Sequence, residues 1–219
     1  MTELSIDTAS SLASVALSRG GEVIAESTWQ CERNHTVELL PAIERLLTDA
    51  AVLKRDLSAV FVSVGPGMYT GLRVGVSTAQ GLARASGLPL VGVGRLELDA
   101  YPHVSFAGDV VAVHRAGRGD LAWASYRGGP WRELTPPHLT KAEELANSVR
   151  EPTLLAGEID DELAALVAGR AEIAPPATTG RAVALAELGH ARLEAGTTHE
   201  PALVIPVYLR PPAIGPQKR

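Results

Sequence analysis

The chain has 219 residues, 46% of them apolar and 21% charged, with a formal net charge of −5 and a pI near 5.7. That is enough chain for a full core in one large domain or two small ones. An acidic balance with only 4% aromatic residues weighs against an independent nucleic-acid binder, since no basic stripe runs along the sequence. Cys31 is the single cysteine, so no intrachain disulfide forms; with no leader-like segment and no apolar run of membrane-span length, a cytoplasmic protein is expected.

In chain order, Leu4 to Thr8, Ser14 to Ser18 and Glu22 to Trp29 read as strands, the last two joined by the turn Arg19-Gly20-Gly21, and together they predict an antiparallel meander. Leu39, Leu40, Ile43, Leu46, Leu47 and Ala50 recur at helical spacing and predict a helix from about His35 to Ala51. Ala59 to Val64 is an apolar strand, Gly71 to Ser86 a second helix, and Leu90 to Val93 a short buried strand. The order βββαβαβ implies a mixed sheet with helices packed over it. A second unit begins near Asp109 with a strand at Val110 to Val113, a strand at Leu121 to Tyr126 and a turn at Gly128-Gly129-Pro130, which together read as a hairpin. Helices are expected at about Lys141 to Ser148, Asp161 to Ala168 and Arg181 to Ala195, alternating with short apolar pieces at Thr153 to Ala156 and Ala171 to Ile173. This half echoes the first loosely. The proline-rich end, Pro211 to Arg219, lacks the donors for regular structure and is expected to be a flexible tail.

The most informative stretch is Gly65-Pro66-Gly67-Met68-Tyr69-Thr70-Gly71-Leu72-Arg73-Val74-Gly75, a glycine turn between a buried strand and a helix. A helix N-terminus preceded by exposed N–H groups receives anions, so a phosphate reading stands beside a purely geometric one. The stretch is neither a Walker loop nor a dinucleotide fingerprint. Asp7-Thr8-Ala9-Ser10-Ser11 would suit a hydrated metal or a phosphate, and equally a turn in which the side chains bond their own backbone. None of the six histidines (His35, His103, His114, His138, His190, His199) pairs with another at i, i+4, so a helical zinc site is absent, and His35 reads as a cap or surface residue. Cys31 lacks the surroundings of a nucleophile, and no Gly-x-Ser-x-Gly elbow occurs. Gly71, Gly75, Ala79 and Ala83 form a stripe of small residues over which another helix would pack closely, or which serves the chain's own core.

Four stretches together resemble the TsaB (YeaZ) family: Ile6-Asp7-Thr8-Ala9, the helix start Asn34-His35-Thr36 to Leu40-Pro41, the glycine loop, and Pro206-Val207-Tyr208-Leu209-Arg210. The resemblance implies an α/β actin-like and Hsp70-like ATPase (ASKHA) fold of two related lobes, taken as residues 1–105 and 106–210, with 211–219 as the tail. It implies a non-catalytic assembly subunit for threonylcarbamoyl transfer to adenosine beside the anticodon of tRNA. On that reading the chain binds the TsaD paralogue, works with the ATPase TsaE, forms a homodimer when alone, and meets tRNA only through the complex. By the same resemblance the partner interface is expected on Leu39, Ile43, Leu46, Gly71, Gly75, Ala79 and Leu82. Weak binding of ATP or ADP with Mg is expected at Asp7, Thr8, Gly65, Gly67 and Thr70. No catalytic residue and no metal ligand is assigned. One departure from the family pattern is the second-lobe hairpin, Val113-His114-Arg115-Ala116-Gly117-Arg118-Gly119-Asp120, where a carboxylate is lost and positive charge is gained. The rival readings are a metal-dependent, protease-like hydrolase and a nucleotide-binding enzyme of the same fold.

Overall fold

Strand alternation and amphipathic helices generate one motif, and the chain uses it twice. The computed structural model describes residues 1–31 and 34–210, so the expected tail at 211–219 lies outside the described residues. The first repeat runs β1 (Thr2–Asp7), β2 (Leu12–Arg19), β3 (Glu22–Gln30), α1 (His35–Asp49), β4 (Leu57–Gly65), α2 (Tyr69–Ser86), β5 (Leu90–Gly94) and α3 (Arg95–Ala100). The second runs β6 (Asp109–Arg115), β7 (Leu121–Arg127), β8 (Arg132–Thr140), α4 (Ala142–Ser148), β9 (Thr153–Gly157), α5 (Asp161–Val167), β10 (Glu172–Ile173) and α6 (Ala182–Glu194). The sheet orders are β3-β2-β1-β4-β5 and β10-β9-β6-β7-β8, the same topology read from opposite ends. In each, the first three strands are antiparallel and the later two add in parallel to the first.

Alternation in β4 decides which helices cover which face. Val60 and Val62 join Leu4, Ile6, Leu39, Ile43, Val76 and Ala79 beneath α1 and α2, whereas Ala59 and Phe61 turn to the opposite face and meet Ala184, Leu185 and Leu188 of α6. The second sheet repeats the division. Val111, Val113 and Leu155 pack on α4 and α5, while Val110, Ala112 and Leu154 pack on Leu96 and Ala100 of α3. Each lobe is therefore closed by the last helix of the other repeat.

This exchange corrects the expected boundary. Residues 106–210 are not one lobe, because α6 and the segment after it return to the first sheet. Val204 enters the first core, the backbone N–H of Val207 donates to the Val64 carbonyl at 2.7 Å, and Gln80 donates to the carbonyls of Pro201 and Val204. The expected two-strand hairpin is likewise a three-strand meander. β8 carries Pro136 and Pro137, which an interior strand rejects, but it lies at the edge of its sheet. Among the described residues, no helix is long and apolar enough to cross a membrane.

Candidate functional site

The glycine loop brings the start of α2 against the turn after β1. A Cβ on Gly67 would sit 2.2 Å from the Ala9 carbonyl oxygen, and one on Gly71 would sit 2.1 Å from that of Thr8. One turn later a Cβ on Gly75 would lie 2.2 Å from Thr8 Oγ1. Absence of side chains lets the Met68 N–H donate to the Ala9 carbonyl at 2.8 Å and Thr8 Oγ1 donate to the Gly71 carbonyl at 2.7 Å. The glycines are thus occupied by backbone of the same chain. Of the residues expected to hold nucleotide, Asp7, Thr8 and Gly67 come together here. Gly65, at φ 103, packs instead against Leu72 and the Val207 carbonyl, and Thr70 is exposed on the first turn of α2. Asp7 closes a local turn through the Ala9 N–H at 3.0 Å, as its neighbours in sequence suggested.

Beside that turn, a cleft of about 830 Å³ opens between the lobes, lined by Ser10, Ser11, Tyr101 and the stretch Pro175 to Arg181. Its floor is an alternating row of charges. Glu158 of the second lobe takes Arg95 Nη2 at 2.5 Å, and Arg95 Nε lies 3.4 Å from Asp99 on the next turn of α3. Asp99 then takes Arg181 Nε at 2.5 Å, and Arg181 Nη1 reaches Asp7 at 3.4 Å and Ser10 Oγ at 3.0 Å. Asp7, Arg95 and Asp99 have side chains 0%, 1% and 4% exposed, so each depends on its neighbour for compensation. Burial pushes the Glu158 carboxyl up, but the His114 hydrogen bond and the Arg95 guanidinium outweigh it and hold Glu158 well below the usual carboxylate range. Burial likewise opposes the charge on Arg181, and Asp99 and Asp7 more than restore it. His114, from the divergent hairpin, thus stands 3.0 Å from Glu158 and 2.9 Å from Arg95, a role that the sequence alone did not show.

The outer helix pair requires a second correction. Leu39, Ile43 and Leu46 are buried in the first core, Leu82 packs half-buried against it, and Gly71, Gly75 and Ala79 face β1. The small-residue stripe serves the chain's own sheet, because close approach of α2 to Thr8 requires it. The faces turned outward carry Thr36, Val37, Leu40, Pro41 and Glu44 on α1 and Arg73, Ser77 and Gly81 on α2, with Val37 68% and Leu40 52% exposed. His35, expected as a cap or surface residue, is buried at the junction of the two helices with Nε2 3.2 Å from the Ser10 carbonyl. Burial and the adjacent Glu38 push the Cys31 thiol up to about 11, which leaves it protonated and unreactive near neutral pH. Among the described residues, no three His, Cys, Asp or Glu side chains cluster closely enough to hold a metal ion.

A family profile described as TsaD, tRNA N6-adenosine threonylcarbamoyltransferase, matches residues 22–174. The tRNA threonylcarbamoyladenosine biosynthesis protein TsaB of Bacillus subtilis (strain 168) is 33% identical over 72% of this chain and 71% of its own length. The chain belongs to the TsaB (YeaZ) family. A solved structure of YeaZ from Pseudomonas aeruginosa superimposes with a TM-score of 0.80 at 25% identity, over 95% of this chain and 99% of that one. The ROK hexokinase from Thermus thermophilus, with a TM-score of 0.51 at 11% identity over 90% of this chain and 99% of its own, shows the shared actin-like fold alone.

Proposed function

We propose that this chain is a non-catalytic assembly subunit for threonylcarbamoyl transfer to tRNA, binding and stabilising a TsaD paralogue through the outward faces of α1 and α2. The observation that carries the reading is Val37 and Leu40, two large apolar side chains one helical turn apart, exposed on a helix whose inner face is already satisfied by the core. A helix pair of this kind presents an apolar centre with a polar rim, the anatomy of a protein interface. The same face would pair two copies when the chain is alone, and TsaE would join the complex rather than this face. Transfer chemistry belongs to the paralogue on this reading, and the compartment is the cytoplasm in which tRNA is modified.

ATP or ADP with Mg would bind weakly at most in the cleft. Arg95 and Arg181 are committed to carboxylates, and a phosphate would have to displace Asp7, Asp99 or Glu158 from them. The deciding experiment reconstitutes modification from this chain, its paralogue, TsaE, a TsaC-type enzyme, threonine, bicarbonate, ATP and unmodified tRNA, omitting each protein in turn. Loss of modified adenosine on omitting this chain is expected. Loss is also expected for Val37→Asp with Leu40→Asp, with the paralogue no longer co-eluting and the fold intact by circular dichroism. Full product without the chain sinks the proposal.

A further inference from the structure

We propose that the β6–β7 hairpin and the end of the C-terminal segment form a polyanion-binding ridge that touches tRNA directly. The cations are far apart in sequence and meet only in the fold. Arg210 and Lys141 converge on the two oxygens of Asp120; Arg210 also donates to the Gly117 carbonyl at 3.0 Å and Lys141 to that of Arg118 at 3.2 Å. Arg115, with 63% of its side chain exposed, stands 3.7 Å from Asp160. Two residues before Arg210, Tyr208 accepts from Arg73 Nε at 3.3 Å, and the Arg73 guanidinium lies 4.2 Å above the Tyr69 ring. Among the described residues, Arg115, Arg118, Lys141 and Arg210 thus gather at the hairpin, with Arg73 joined to them through Tyr208, against the carboxylates of Asp120, Asp160 and Glu158, the last taking the Arg115 N–H at 3.0 Å, in a chain whose net charge is −5. Such segregation is the electrostatic footprint of a nucleic-acid contact.

The hairpin tip supports a selected role for the charge. Arg118 has φ 56 and stands between Gly117 at φ 76 and Gly119 at φ 72. That backbone favours glycine at all three positions, yet the apex keeps a long cation. The ridge is anchored as well as charged, since Lys141 and Arg210 hold the hairpin by its own carbonyls. Phosphates along an RNA backbone would be met by a ridge of this kind with little reordering. The inference rests on the tRNA-modification reading only for the choice of RNA as the polyanion.

The test uses the full chain and a fluorescently labelled, unmodified tRNA transcript, read by anisotropy at about 50 mM salt and upward, within the micromolar range of non-specific contacts. Arg118→Gly is expected to weaken binding roughly threefold to fivefold, and Arg115→Gln with Arg118→Gly roughly tenfold. The slope of log affinity against log salt should become shallower by about one for each cation removed. Arg118→Gly should melt no lower than the parent, because glycine suits φ 56, so weaker binding is not a folding defect. Arg55→Gln, at the opposite end of β4, should bind as the parent does. The inference is overturned if the parent shows no binding up to about 100 μM, a concentration at which non-specific contacts register, if the ridge variants bind like it, or if Arg55→Gln loses as much. It is also overturned if the double variant keeps tRNA but loses the paralogue, since the ridge would then be a protein surface. In the omission experiment, a dispensable chain sinks the assembly reading while ridge-dependent anisotropy stands, and a required chain with ridge-independent tRNA binding sinks only the ridge.

Discussion

Arg181 links two buried carboxylates, Asp7 and Asp99, and of the two Asp99 alone has a second cation, Arg95, at 3.4 Å. Removing its guanidinium strands Asp7, buried and charged, while Asp99 keeps Arg95, and one uncompensated charge of this kind costs about 3 kcal/mol. Arg181→Ala should therefore lower the melting temperature by roughly 6–12 °C for a domain of this size. Arg181→Lys should recover only part of that, because a single ammonium does not span two partners as a planar fork does. A drop of less than about 1 kcal/mol for the alanine variant, well under the cost of a stranded buried charge, would mean that water compensates the carboxylates. Glu158 makes a pH prediction of definite sign. Its folded pKa lies below the ordinary 4.5, so the stability it contributes is present above that value and is lost as pH falls through the folded pKa. Melting curves from pH 7 down to about 3 should show Glu158→Gln below the parent at neutral pH and the gap narrowing below pH 4.5, where the unfolded parent takes up a proton that the folded carboxylate still refuses.

The glycines of α2 differ in what surrounds them, and alanine substitution separates their roles. At Gly75 a Cβ would overlap Thr8 Oγ1, so Gly75→Ala must move the group that donates to the Gly71 carbonyl and should cost about 2 kcal/mol. At Gly81 no atom lies within 4 Å of the added Cβ, and Gly81→Ala should gain about 0.5–1 kcal/mol through helix propensity. Denaturant titration reads both; equal effects would show that the stripe does not pack on β1. The sequence made the elements themselves legible, since Leu39, Ile43 and Leu46 recur at 3.6 residues and Ala59 to Val64 is long enough to be a buried strand. It did not show which way a regular pattern faces. The spacing of Gly71, Gly75 and Ala79 is the same whether the stripe meets another molecule or the chain's own sheet, and only the position of Thr8 decides between them. Helix α3 escaped notice because its six residues are too few for a period. The basic ridge was illegible for a different reason: Arg73, Arg118, Lys141 and Arg210 are brought together by sheet topology, which no local window contains.

At the scale of the molecule, the exchange of α3 and α6 makes the two lobes dependent on one another. Phe61, Val91 and Val93 of the first sheet are covered by α6 from the end of the chain, and Val110 and Ala112 of the second by α3 from its middle. The ion row from Glu158 through Arg95, Asp99 and Arg181 to Asp7 follows the same crossing. A domain boundary near residue 105 cuts the linker between the repeats but strips each sheet of one face. Calorimetry of the full chain should accordingly give a single transition, with calorimetric and van't Hoff enthalpies equal. The fragment 1–105 should fail to fold alone, because the face built on Phe61 would lie open to water, with about 1.5–3 kcal/mol at stake for each large apolar side chain left uncovered. Supplying residues 180–210 as a peptide should restore cooperative melting, since α6 and Val204 are what the first sheet lacks. Two resolved transitions in the full chain, or cooperative folding of 1–105 without the peptide, would show that each lobe closes its own core and that the exchanged helices are appended rather than required.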